Sequence, residues 1–87
     1  MSKERQQKLG RRVELKEMQQ AMRIEIDLLV RAVRDLFEPR DVELAYTEKI
    51  DTTRMMIYMK EIERKHRALA KVCKEIAILD DELDGEQ

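Results

Sequence analysis

Between Arg11 and Asp84 the chain holds a single strong helix breaker, Pro39; its two glycines, Gly10 and Gly85, flank that span. Proline is tolerated in the first turn of a helix and is costly in its interior. Asp41 follows as an N-cap candidate, a side chain that accepts from the free amides of a new first turn. Phe37-Glu38-Pro39-Arg40-Asp41 therefore reads as a tight connection at 38–41 between two long helices. Short connections make antiparallel neighbours. The expected fold class is all-α, an antiparallel helical hairpin with coiled-coil character.

Composition agrees with that class. Ala, Glu, Lys, Leu and Arg supply more than half of the chain, and aromatic residues only 3%. A sandwich or barrel would want more β-branched and aromatic runs divided by turn residues. At 87 residues there is room for one domain. The expected organisation is a flexible basic segment at 1–10 and one hairpin domain at 11–84. Its first helix covers about 11–37 and its second about 41–83.

Charge is uneven along the chain although the net is only −1. Lys3, Arg5, Lys8, Arg11, Arg12 and Lys16 crowd the beginning; Asp80, Asp81, Glu82, Asp84 and Glu86 crowd the end. An antiparallel hairpin brings these stretches together, and a parallel or extended pair does not. Exposed ion pairs contribute only about 0–1 kcal/mol each, so the effect selects a topology more than it stabilises one.

The apolar pattern exceeds what one hairpin needs. In the first helix Leu15, Met18, Met22, Leu29, Val33 and Leu36 keep a three-four spacing, with Glu25 at the missing step. From Ala21 onward Ile24, Ile26, Leu28, Val30, Ala32 and Phe37 widen the arc to about 240° of the circumference, where a surface helix needs little over ~100°. In the second helix an early stripe, Val42, Tyr46, Ile50, Thr53 and Ile57, gives way to a later one on the opposite side. That later stripe is Met55, Met59, Ile62, His66, Leu69, Cys73, Ile76 and Leu83. The expected form is one continuous helix with two faces; the alternative is a break near 51–54 with Asp51 capping a new helix.

A turn at Pro39 makes facing residue numbers total about 78, given equal rise in both helices. In that register Leu69, Val72, Cys73, Ile76, Leu79 and Leu83 outrun the apolar part of the first helix. Each such side chain left in water forgoes roughly 1.5–3 kcal/mol. The expected cover is a second copy, giving a two-fold four-helix bundle, or a helical protein partner. Met55, Met59, Ile62, His66, Leu69, Cys73 and Ile76 are the expected interface residues.

Chemistry-bearing motifs are weak. Glu63-Arg64-Lys65-His66 has the Glu-x-x-His spacing of a di-metal carboxylate half-site, with Glu14 level with it in the same register. The bland alternative is a seam histidine beside a surface glutamate. His66 and Cys73 give two ligands where zinc needs three or four. No phosphate-cradling loop, nucleophile elbow or H-E-x-x-H motif occurs. The chain is therefore expected to be non-enzymatic and cofactor-free: an adaptor, regulator or assembly subunit. A small dimeric RNA- or DNA-binding hairpin, using Lys8, Arg11, Arg12 and Lys16 on phosphates, is the alternative, and a di-metal bundle the less favoured one.

Two further expectations complete the reading. Glu25, inside the wide arc, is expected to pair with Arg54 and fix register, or to lie in an exposed gap. A single free thiol, Cys73, and a polar start without a secretory pattern point to a reducing, cytoplasmic setting and to no membrane or small-molecule partner.

Overall fold

The computed structural model describes residues 2–37 and 50–85. They form two helices, α1 (Lys3–Phe37) and α2 (Thr52–Gly85), packed against each other as a hairpin. The expected turn at 38–41 and the early stripe residues Val42 and Tyr46 lie outside the described residues.

Helix α1 starts at Lys3, not at about Arg11. Ser2 explains the earlier start: its Oγ accepts from the backbone N–H of Arg5 at 3.2 Å, satisfying one of the free amides of the first turn. Gly10 then lies inside the helix, where it costs about 1 kcal/mol relative to alanine. A Cβ built there meets nothing within 4 Å. The variant Gly10→Ala is accordingly expected to be about 0.5–1 kcal/mol more stable, read as a higher midpoint in thermal unfolding.

Helix α2 starts at Thr52. Ile50 and Asp51 are not helical, and Asp51 Oδ1 accepts from the Arg54 amide at 2.8 Å. The continuous second helix is thereby corrected in favour of a new, capped start at 51–52. Thr52 and Thr53 suit a first turn better than a helix interior, because threonine is a weak helix former and its neighbour Asp51 a strong cap.

The helices run antiparallel, as the charge pattern requires. Arg5 donates to the Leu83 carbonyl at 3.4 Å, Lys8 meets Glu82 at 3.5 Å, and Arg12 bridges to Asp80. Further along, Gln19 reaches Cys73 and Lys65 reaches Glu25. Residue numbers across the seam therefore total about 90, not 78, because the chain turns between Phe37 and Thr52 and both helices rise equally.

That shift reassigns the core. Leu15, 1% exposed, packs with Val72 and Ile76, and Met22 and Leu79 close over them. Leu83 is buried as well, and Leu69 half-buried. These α2 residues are covered by the first half of α1, not left to a second chain. The seam follows a regular three-four alternation on both helices. On α1 it uses Leu15, Gln19, Met22, Ile26, Leu29, Val33 and Leu36; on α2 it uses Met55, Tyr58, Ile62, Lys65, Leu69, Val72, Ile76, Leu79 and Leu83, all buried or half-buried. Met18, Glu25, Met59 and His66 are displaced to the exposed flanks.

The result is a rod of 66 × 19 × 15 Å with a radius of gyration of 19.8 Å, where a globular chain of this length has about 12 Å. Its accessible surface is 7238 Å², against about 5400 Å² for a compact monomer of its mass. Roughly 1800 Å² more than a globular fold of this mass would leave thus remains open to solvent.

Candidate functional site

Large apolar side chains gather on the outer faces of the half next to the connection. Seven of the eleven exposed ones among the described residues lie there: Ile24, Leu28, Val30 and Phe37 on α1, Met56, Ile57 and Met59 on α2. Met56 and Ile57 are each 60% exposed and Leu28 59%. A seam of ordinary width serves one neighbour, and these residues sit outside it. Where such side chains form one patch they mark a site of association, and the methionines of α2 do so.

On α2 part of this surface forms a groove. Met55, Met56, Met59, Ile62 and His66 line a shallow open groove of about 690 Å³, with Lys60 and Glu63 on its rim. Methionine suits such a surface because its unbranched, polarizable chain adapts to the shape of what it meets. Four of the seven expected interface residues, Met55, Met59, Ile62 and His66, are therefore brought together. The other three are not. Leu69 and Ile76 belong to the seam inside the hairpin, and Cys73 is half-buried beside Gln19. The physical reason is the register: α1 extends far enough to cover them.

Met56 escaped the sequence reading because it fits neither apolar stripe. The signal was the unbroken run Met55-Met56-Ile57-Tyr58-Met59, apolar on all sides of the helix. A helix of that kind is buried on more than one face.

Polar groups around the seam explain its pairing. Gln19 is 8% exposed and donates to Cys73 Sγ at 3.2 Å. A buried amide that finds its partner in one alignment disfavours sliding, since any other alignment strands it. Glu25 lies on a flank, 53% exposed at its side chain, and accepts from Lys65 Nζ at 2.6 Å, not from Arg54. Lys65 holds a seam position by laying its stem along the apolar surface and carrying its ammonium out to Glu25. Arg54 instead pairs with Asp51. Beside Lys65, the Arg64 guanidinium holds the Glu61 carboxyl below its ordinary value, and Glu61 raises Arg64 in return. Both groups lie at the surface, so the contact orders that surface and adds little stability.

The metal constellation is not assembled. Among the described residues no group of three or more His, Cys, Asp and Glu side chains comes together. Glu63 is paired with Arg67. Glu14 pairs with Arg11, which also reaches Glu75, so it lies level with the last third of α2, well past His66. Of the expected phosphate-contacting residues, Lys8, Arg11 and Arg12 are engaged with Glu82, Glu75 and Asp80. No described helix is long and apolar enough to cross a membrane.

Fold and surface together define an antiparallel helical hairpin with an apolar outer belt at its connected end. No protein-family model matches the chain, and comparison with curated proteins and with solved structures finds none similar to it.

Proposed function

We propose that this chain is a non-catalytic association module whose partner is a second copy of itself. Two hairpins pack through their connected halves into a four-helix bundle with coiled-coil packing, serving as an adaptor, regulator or assembly subunit in a reducing, cytoplasmic setting. The observation that carries the reading is the exposed belt of Ile24, Leu28, Val30, Met56, Ile57 and Met59.

Area supports the second copy as the occupant. A stable interface removes about 800 Å² from each partner, and obligate dimers remove more. The open excess of roughly 1800 Å² per chain reaches that range. Isologous pairing of two copies is the commonest closed assembly.

Sedimentation equilibrium of the full chain at micromolar concentration tests the reading. A dimer mass is the expected result. A monomer that holds its mass up to millimolar concentration overturns self-association, and assigns the cover of the belt to the chain's own connecting segment or to another protein.

A further inference from the structure

A second surface, meeting the apolar groove at Lys60, lies on the outward side of α2. Lys60, Arg64, Arg67, Lys71 and Lys74 follow a four-three-four-three spacing, which places them in one row about 21 Å long. All five cationic residues are exposed.

What distinguishes this row from an ordinary solvated face is its local charge balance. The carboxylates nearby are already held: Glu61 by Arg64, Glu63 by Arg67, Glu75 and Glu14 by Arg11, Glu25 by Lys65 and Asp27 by Arg31. Of the row, Arg64 and Arg67 hold Glu61 and Glu63, and Lys60, Lys71 and Lys74 have no ion-pair partner among the described residues. The basic N-terminal stretch, by contrast, is turned inward onto the acidic end of α2. A chain of net charge −1 thus carries a concentrated positive strip along its middle.

We propose that this strip binds the phosphodiester backbone of a nucleic-acid duplex without reading its sequence. Evenly spaced lysines and arginines on a straight helix match a regular array of phosphates, and binding releases the counterions condensed on it. The strip has no aromatic side chain to stack on a base. Between Lys60 and Lys74 its outward face also lacks the large apolar side chains that a membrane-surface helix inserts between lipids, which favours nucleic acid over an anionic bilayer.

Fluorescence anisotropy of the full chain with a short labelled DNA duplex tests this, with an RNA duplex in a parallel arm. Five released counterions give a log–log salt slope of about −4.5, hence a fall in affinity of roughly 500-fold between about 50 and 200 mM salt. In the triple variant Lys60→Gln/Lys71→Gln/Lys74→Gln the slope is expected to drop to about −1.8, a fall of only about 12-fold over the same range. Circular dichroism of that variant should match the parent, because all three side chains face solvent. Preference for DNA or for RNA supports the proposal equally. An unchanged slope in the triple variant, no binding to either duplex at low salt, or equal binding to phosphatidylserine-containing vesicles overturns it.

Discussion

Replacing Leu15 with aspartate is expected to abolish the hairpin. Leu15 is the most deeply buried side chain among the described residues, 1% exposed, and it packs with Val72 and Ile76 where the two helices meet. Truncating such a leucine to alanine costs about 2–5 kcal/mol. An aspartate adds the cost of placing a carboxylate among apolar side chains. Among the described residues four buried hydrophobic side chains make up the fully covered core, so the remaining contacts do not offset a loss of that size in a domain of ordinary marginal stability. The measurement is thermal unfolding followed by far-ultraviolet circular dichroism: the variant should lose its cooperative transition and most of its helical signal. Val13→Asp, two residues away but 56% exposed, should change the midpoint little. Equal damage from the two substitutions would mean that the seam does not run through Leu15.

Charging the outer groove should have the opposite character: association is lost and folding is kept. Met56 and Met59 are 60% and 52% exposed in the single chain, so Met56→Glu/Met59→Glu removes no contact on which the hairpin depends. In the proposed bundle both side chains are buried on both copies, and each buried methionine contributes roughly 1.5–3 kcal/mol. Even a partial loss of about 3 kcal/mol raises the dissociation constant more than 100-fold. Analytical ultracentrifugation should find monomers where the parent is dimeric, with an unchanged dichroism spectrum. Ile78→Glu, at the open end of the rod, should leave association intact. A double variant that stays dimeric would move the interface to the α1 side, around Ile24 and Leu28.

These two outcomes separate residues that look alike in one dimension. Met55, Ile62, Leu69, Ile76 and Leu83 recur every seven residues, and any helical seam on α2 includes them. Between them the chain offers adjacent pairs: Tyr58 or Met59, Lys65 or His66, Val72 or Cys73, Leu79 or Asp80. Periodicity does not choose within a pair. Lys65 in particular argues against its own side as long as it is regarded as a charge; its place in the seam depends on a stem that packs and on Glu25 waiting at the edge. On α1 the same ambiguity sits at Met18 or Gln19 and at Glu25 or Ile26. There the less hydrophobic Gln19 takes the seam because Cys73 lies opposite.

What could be deduced from residue order was local and electrostatic. Two long helices followed from the scarcity of breakers, and their antiparallel sense from a basic beginning and an acidic end. An excess of apolar surface followed from an arc too wide for one neighbour. Register and seam phase belong to the packed hairpin, because each rests on where the chain reverses and on which side chain meets which across the interface. Raising the facing total from 78 to about 90 slides one helix by about twelve residues along the other. That slide takes Ile76 and Leu69 out of any outer surface and leaves Met56 and Met59 in it.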